Sequence, residues 1–139
     1  MEEFDIAIIG GGPAGIMAAI AASADLNVVL LEKNSSLGSK LLITGGGRCN
    51  ITNEKPIKKL LNSFHDKNFL KHSFYTFTNE MLLDLFRNRG LDFIVEDNNR
   101  VFPETEKSQD ILAILKYYLK DITIKYNYEV SDIKKEDNF

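Results

Sequence analysis

Three glycines near the N-terminus have the spacing of a loop that binds a dinucleotide. Gly10, Gly12 and Gly15 form a G-x-G-x-x-G pattern directly after an apolar run at residues 6–9. Gly10 permits a tight turn after a strand, Gly12 lets a pyrophosphate approach the backbone, and Gly15 lets a helix pack closely on a sheet. The N–H groups at the start of that helix, together with its dipole, would face the phosphates.

An acidic residue stands where a bound ribose would need a partner. Glu32 ends a second apolar run and lies 22 positions after Gly10, close to the roughly 20 expected for a residue that binds ribose hydroxyls. A carboxylate there would repel a 2′-phosphate, so NADP is disfavoured. No Gly-Lys-Ser/Thr follows Gly15, which excludes a P-loop. A purely structural glycine turn is the alternative, and the surrounding pattern favours dinucleotide binding.

A second glycine cluster is dense in hydrogen-bonding groups. Residues 44–53 read TGGGRCNITN, so three glycines stand beside Arg48, Asn50 and Thr52. Such a segment suits a planar polar ligand that is held by main-chain N–H groups and a guanidinium. On composition alone, a mobile surface turn is an equal alternative.

The elements that must position the first cluster form a β-turn-α-β unit. Residues 5–9 and 28–32 are continuous apolar runs, which predict parallel strands buried on both faces. Residues 16–22 between them predict a helix. A further strand is predicted over residues 122–130, as the third parallel strand and the start of a β-meander broken near Asn127. The residues after it predict a hairpin turn at 137–138.

The middle of the chain predicts helices and an aromatic core. Amphipathic patterns favour helices over residues 56–64, 79–89 and 108–120. Thr78 is the predicted N-cap of the second helix, and Gly90 its C-terminal stop. Because Phe is usually buried, we expect an aromatic group in this region to belong to the core. Its members are Phe69, Phe74, Tyr75, Phe77 and Phe86.

Composition indicates a soluble α/β protein. The 139 residues are 44% hydrophobic and 27% charged, with a formal charge of −3. We expect one domain in the cytoplasm, no nucleic-acid partner and no membrane contact, because the chain is mildly acidic and its apolar tract at 6–24 is interrupted by glycines. One cysteine excludes an internal disulfide. His65 and His72 have no partners of recognisable spacing, so we expect them at the surface and expect no metal site.

These blocks resemble the N-terminal part of a bacterial FAD-dependent oxidoreductase family. Its members are described as NAD(P)/FAD-dependent oxidoreductases, aminoacetone-oxidase-type flavoproteins and predicted flavoproteins. The resemblance rests on residues 10–15 (GGGPAG), 31–33 (LEK), 40–53 (KLLITGGGRCNITN) and 100–103 (RVFP). It covers essentially the whole chain, and the block at 40–53 is highly specific. The resemblance implies a Rossmann-like FAD-binding domain of the two-dinucleotide-binding flavoprotein type.

The resemblance and the spacing together predict a set of FAD-binding residues. We expect Lys33 and Lys40 to hold the loop after the second strand near the pyrophosphate, so that residues 47–50 reach the flavin ring. The backbone near Val130 is expected to contact adenine, although an ordinary strand valine is the alternative. The full set is Gly10, Gly12, Pro13, Ala14, Gly15, Glu32, Lys33, Lys40, Gly46, Gly47, Arg48, Cys49, Asn50, Thr52 and Val130.

The flavin itself would carry the redox chemistry, and no residue has the pattern of a general acid or base, so no catalytic residue is assigned. Arg48 is expected to stabilise negative charge on a reduced flavin. A lone cysteine has no resolving thiol, so a buried packing role is favoured for Cys49 over a redox role. The sequence leaves open whether NAD(P)H is the reductant of the flavin, and a small molecule is the expected substrate.

The pattern at the end of the chain predicts a fold that stops within a β-meander. We therefore expect residues 1–139 to be the N-terminal part of an FAD/NAD(P)-binding domain, truncated or excerpted from a longer enzyme and inactive by itself. Two alternatives remain at this point. One is a small non-catalytic Rossmann protein that binds a nucleotide, and the other is an inactive remnant.

Overall fold

The computed structural model describes residues 2–135. The strands are β1 (Ile6–Ile9), β2 (Val28–Leu31), β3 (Thr52–Asn53), β4 (Phe93–Glu96), β5 (Arg100–Pro103) and β6 (Thr123–Lys125). The helices are α1 (Pro13–Ala22), α2 (Ser39–Ile43), α3 (Ile57–Leu61), α4 (Lys67–Thr76), α5 (Asn79–Arg87) and α6 (Ser108–Tyr118). None of the helices in residues 2–135 is long and apolar enough to cross a membrane.

The chain divides into two compact units, although no linker in the sequence marks the boundary. Within the described residues, the first unit comprises 2–41 and 115–135, and the second comprises 42–114. No Pro/Ser-rich or low-complexity stretch separates the two units, so the sequence shows no sign of where one ends and the other begins.

The first unit is built on the predicted parallel sheet. Its strand order is β1-β2-β6, with all neighbours parallel. Ile8 lies beside Leu30, and Leu30 lies beside Ile124. Ile16 and Ala19 of α1 are fully buried, so the helix presents a small, close-packing face to the core of this unit. The β-turn-α-β unit is confirmed.

Burial on both faces is confirmed for β2 and wrong for β1. Residues 28–30 are buried, whereas Ala7 and Ile9 in β1 are exposed, Ile9 by 55%. Among the described residues, β2 has a strand on each side and β1 has one neighbour. An edge strand is covered less completely than a central one.

The last strand is shorter than its alternating pattern predicted. β6 is the third parallel strand, as expected, but residues 126–135 form no strand. Asn127 breaks the strand with φ +54°, in the left-handed region. A strand needs a neighbour to pair its backbone, and none runs beside residues 126–135 within the described part of the chain. The turn predicted at 137–138 lies outside the described residues.

The second unit contains an antiparallel sheet that the sequence reading missed. Its order is β3-β5-β4, and β4 and β5 form a hairpin in which Val95 pairs with Val101. Asn98 and Asn99 turn the chain with φ values of +63° and +60°. Two short runs of β-branched and aromatic residues around an Asn-Asn pair are a hairpin pattern, and that signal was available in the sequence.

Three helices accompany this sheet, and one of them was not predicted. Thr78 caps α5 by accepting a hydrogen bond from the N–H of Met81, and Gly90 ends that segment with φ +80°, both as predicted. α3 spans only Ile57–Leu61, shorter than expected. α4 was missed because its amphipathic pattern is weaker than that of α5, and none of its residues is buried.

The expected aromatic core is largely wrong. Phe86 is buried and packs edge-to-face on Phe93, with ring centroids 6.0 Å apart. Phe69, Tyr75 and Phe77 are exposed. The core of the second unit instead contains aliphatic and phenylalanine side chains of α5 and β5, including Leu83, Val101 and Phe102. His65 and His72 are exposed, as expected.

Candidate cofactor-binding site

The glycine turn after β1 has the geometry that its spacing predicts. Gly10 has φ +99°, a conformation that L side chains rarely adopt, and its N–H donates to the carbonyl of Leu31. A Cβ on Gly15 would lie 1.9 Å from the Gly10 carbonyl oxygen, so only glycine lets α1 pack so close to the turn. A Cβ on Gly12 would meet no atom within 4 Å.

Gly12 is also the N-cap of α1, and Pro13 occupies the first helical position. No side chain caps this helix end. The N–H groups of a first helical turn have no intrahelical acceptors, so they are free to bind an external one. The open space at Gly12 therefore adjoins a helix terminus that suits a phosphate.

The carboxylate of Glu32 is committed to the protein backbone. The residue is only 6% exposed. One oxygen accepts a hydrogen bond of 2.7 Å from the N–H of Gly11. The other accepts from the backbone N–H of Asn34 at 2.7 Å and from its side-chain amide at 2.6 Å. Glu32 thus ties the glycine turn to the end of β2.

These bonds hold Glu32 in its charged form. The backbone N–H of Asn34 lowers the pKa of the carboxyl group most, the Gly11 N–H lowers it further, and burial opposes them. The net pKa is below the ordinary glutamate value. A buried carboxylate with three donors is a stable anion beside the glycine turn.

The turn, the end of β2 and the loop after it line one open cleft of about 380 Å³. Seven of the predicted site residues border it, namely Gly10, Gly12, Pro13, Glu32, Lys33, Lys40 and Val130. Ala14 and Gly15 follow directly in the first turn of α1. Lys33 and Lys40 bring two positive charges to the lining of the cleft, and Glu32 and Glu129 bring two negative ones.

Residues 127–130 reach this cleft because their backbone is tied to the end of β2. The N–H of Tyr128 donates to the carbonyl of Glu32 at 2.9 Å, and the N–H of Asn127 donates to the carbonyl of Asn34 at 3.1 Å. Tyr128, Glu129 and Val130 therefore border the cleft without forming a strand. We did not predict Gly11, Asn34 or Tyr128 as residues of this site. For Asn34, its position two residues after Glu32 was the signal available in the sequence.

The second glycine cluster lies in the second unit and forms a tight left-handed turn. Gly45, Gly46 and Gly47 have φ values of +57°, +68° and +89°, so all three lie in the left-handed region. A Cβ on Gly45 would lie 3.0 Å from both the Phe102 ring and the N–H nitrogen of Asn50. The Gly45 backbone packs directly on β5.

Arg48 is held by two carboxylates above an aromatic ring. Its guanidinium donates to Glu96 at 2.6 Å and to Glu106 at 2.9 Å. Its Cζ atom lies 4.3 Å from the centroid of the buried Phe102 ring. Arg100 joins the cluster through Glu96 at 3.4 Å. The hydrogen bonds that Arg48 donates to Glu96 and, to a lesser extent, to Glu106 raise the pKa of Arg48, and the bond from Arg48 lowers the pKa of Glu96.

The residues after Arg48 are fixed by packing and backbone bonds. Cys49 is buried, has φ +63°, and donates its N–H to the carbonyl of Thr44 at 3.0 Å. Burial raises the pKa of its thiol. The Asn50 amide nitrogen, in the orientation that satisfies its neighbours, donates to the carbonyls of Thr52 at 3.0 Å and Val101 at 3.3 Å. Glu96, Glu106 and Phe102 were not predicted as parts of this cluster.

The predicted site residues therefore fall into two groups. Those up to Lys40, with Val130, lie in the first unit at one cleft. Gly46, Gly47, Arg48, Cys49, Asn50 and Thr52 lie in the second unit. Within residues 2–135, no group of three or more His, Cys, Asp and Glu side chains is arranged to hold a metal ion.

Known proteins share this sequence and this fold. The chain is 34% identical over 123 residues to a 3-dehydro-bile acid delta(4,6)-reductase of Clostridium scindens, which covers 86% of this chain and 30% of that protein. It is 30% identical over 141 residues to the ribosomal RNA dihydrouridine synthase of Escherichia coli, covering 99% of this chain and 34% of that protein. The chain thus spans about a third of the length of these curated relatives.

A solved structure supports the fold alone. The crystal structure of Thermovibrio ammonificans THI4 matches 88% of this chain and 38% of its own chain, with a TM-score of 0.52 and 18% sequence identity. The model of the HI0933-like protein Rossmann domain matches residues 4–139. These matches confirm the Rossmann-like fold and the resemblance to FAD-binding oxidoreductases. The chain belongs to the HI0933-like protein Rossmann domain family.

Proposed function

We propose that the cleft of the first unit binds the ADP half of FAD. The pyrophosphate would lie against Gly12 and the N-terminus of α1, with Lys33 and Lys40 supplying positive charge. The observation that carries the proposal is the open space at Gly12 beside an uncapped helix start. That combination leaves room for a phosphate where unpaired N–H groups and the helix dipole favour one.

Glu32 has two roles in this proposal. Its bonds to Gly11 and Asn34 shape the turn around the phosphate. As a buried anion that borders the cleft, it would also accept hydrogen bonds from a ribose and repel a 2′-phosphate. Val130, whose neighbouring backbone is tied to β2 through Tyr128, would contact the adenine.

The second glycine cluster is the proposed partner of the flavin ring. The three left-handed glycines expose main-chain groups, and Asn50 and Thr52 fix the segment against β5. Arg48 would act as part of a cluster with Glu96 and Glu106, so its effect on a flavin includes the charge of both acids. Cys49 would pack beneath the turn.

The longer protein would be a flavin-dependent oxidoreductase. FAD, when bound, supplies hydride transfer, and the residues described above bind it, orient it and set the charge around it. We propose NAD(P)H as the reductant and the cytoplasm as the location. A small molecule is the substrate class that the sequence favours. An RNA base is the second candidate, because one relative is an RNA dihydrouridine synthase and because the second unit carries a basic surface, described below.

Titration of the purified chain with FAD tests the proposal. Flavin fluorescence should be quenched on binding, ADP should compete, and NADP should compete less well because of Glu32. Wild-type protein that is folded by circular dichroism but neither quenches FAD nor binds ADP would refute the placement. A chain that binds ADP but not FAD would support the small nucleotide-binding alternative.

A further inference from the structure

One segment of the second unit has a net charge opposite in sign to that of the chain. Residues 55–77 contain five lysines and one acid, Asp66, giving a net charge of +4, whereas the whole chain has −3 and the remainder therefore −7. Asp66 is occupied as the N-cap of α4, where it accepts a hydrogen bond from the N–H of Phe69. Basic residues gathered on one part of a domain are the electrostatic footprint of a polyanion site.

Three of the five lysines, Lys58, Lys67 and Lys71, line a groove between α3 and α4. Lys67, Lys71 and Tyr75 are spaced four residues apart on α4, so they share one face of that helix. Lys58 of α3 lines the same shallow groove of about 230 Å³. Within residues 2–135, none of these lysines takes part in an ion pair. Among the described residues, no carboxylate therefore lies within ion-pair distance of these three ammonium groups.

Aromatic side chains stand exposed on the same helix. Tyr75 is 54% exposed and borders both this groove and the neighbouring one, which Lys71 and His72 also line. Phe69 is 80% exposed. α4 buries no residue, so these rings contribute little to the core. Aromatic rings beside a basic groove are the stacking platforms of proteins that bind single-stranded nucleic acid.

We propose that the face formed by Lys58, Lys67, Lys71 and Tyr75 binds a single-stranded polynucleotide. The ammonium groups would contact successive phosphates, and a base would stack on Tyr75. A duplex keeps its bases inside the helix, where Tyr75 could not reach them. An acidic peptide would satisfy the lysines and leave the ring unused. The expectation of no nucleic-acid partner rested on the net charge of the chain, whereas this proposal rests on the local charge of residues 55–77.

The test measures binding of a fluorescent single-stranded RNA of about 12 nucleotides to the full chain across a salt series. Binding should weaken steeply with salt. Lys67→Gln with Lys71→Gln should reduce the salt slope by about 1.4, since each phosphate contact on a single strand contributes about 0.7. Tyr75→Ala should weaken binding by about tenfold or more, whereas Tyr75→Phe should retain it.

The matched control removes two exposed lysines elsewhere, as Lys116→Gln with Lys120→Gln, and should leave the salt slope unchanged. Circular dichroism confirms that each variant is folded. An equal loss in the control pair, or tighter binding to an acidic peptide or to anionic vesicles than to RNA, would overturn the proposal. So would a Tyr75→Ala variant that binds like wild type.

Two further arms identify the polynucleotide. Single-stranded DNA that binds as tightly as RNA would support a site for phosphate and base without sugar selection, and weaker DNA binding would assign the site to RNA. The site uses no residue of the glycine cleft, so the binding is expected with or without FAD. Failure of RNA binding with normal FAD binding would refute this proposal alone.

Discussion

The Gly11 N–H and the Glu32 carboxylate are 2.7 Å apart, and this bond joins the turn after β1 to the end of β2. A Cβ at position 11 would lie 2.3 Å from the buried Leu37 side chain and 2.9 Å from the Glu32 carboxylate, so a larger residue there would displace one of these side chains. The acid at the end of β2 therefore shapes the glycine turn, besides facing the cleft. Substitutions at Glu32 should therefore change the stability of the folded chain even when no ligand is bound.

Glu32→Gln should lower the free energy of unfolding by about 1–3 kcal/mol at neutral pH, since it weakens hydrogen bonds to a buried charge. The pKa of Glu32 is lower in the folded state. Its stabilising effect is therefore fully present above the unfolded-state pKa and is lost as the pH falls through the folded-state pKa. Urea unfolding at several pH values checks this. A stability difference from wild type that stays constant into acid would contradict it.

Gly12→Val should abolish FAD binding and leave the fold intact. The new side chain enters open space, so the free energy of unfolding should change by no more than about 1 kcal/mol, the scale of an N-cap effect. The same side chain fills the proposed pyrophosphate position. Flavin fluorescence titration measures the loss, and normal FAD binding by a folded variant would remove the pyrophosphate from this turn.

Gly15→Ala, in contrast to Gly12→Val, should destabilise the fold. Its Cβ would collide with the Gly10 carbonyl oxygen, so α1 must move away from the turn. We expect destabilisation by about 3 kcal/mol or more. Thermal melting without ligand checks this, with Gly12→Val as the comparison. Equal melting temperatures for the two variants would show that the close approach at Gly15 is not required.

Arg48→Ala should lower the reduction potential of bound FAD if the second glycine cluster contacts the ring. The substitution leaves two acids, Glu96 and Glu106, without their shared cation, and negative charge disfavours a reduced anionic flavin. Arg87→Ala is the matched control, because Arg87 also pairs with two acids, Glu80 and Asp84. A shift of the same size in both variants would place Arg48 away from the flavin.

Cys49 should react slowly with thiol reagents at neutral pH. The thiol is buried and burial raises its pKa, so the reactive thiolate is scarce. Labelling should become fast only after denaturation, and Cys49→Ser should leave FAD binding unchanged. Rapid labelling of the folded chain would contradict the packing role. In a flavin-loaded protein, loss of flavin reduction in Cys49→Ser would assign the cysteine to the chemistry.

The sequence by itself determined the first unit and its glycine turn. Gly10 has a positive φ and Gly15 has no room for a Cβ, so glycine meets a local backbone requirement at both positions, and the predicted turn between β1 and α1 follows from them. The cap at Thr78 and the stop at Gly90 are equally local. Local backbone geometry depends on residue types and can therefore be predicted without a structure.

Only the tertiary structure decided what the charged residues touch. Glu32 was predicted from its distance to Gly10, but its bonds to Gly11 and Asn34 depend on how β1 and β2 align. Arg48 meets Glu96, 48 positions away, because the hairpin of β4 and β5 brings that acid back to the glycine turn. Tyr75 was predicted to lie in the core because aromatic residues are usually buried, but the structure exposes it. Such contacts and burials arise from packing between distant segments, which residue types and spacing do not specify.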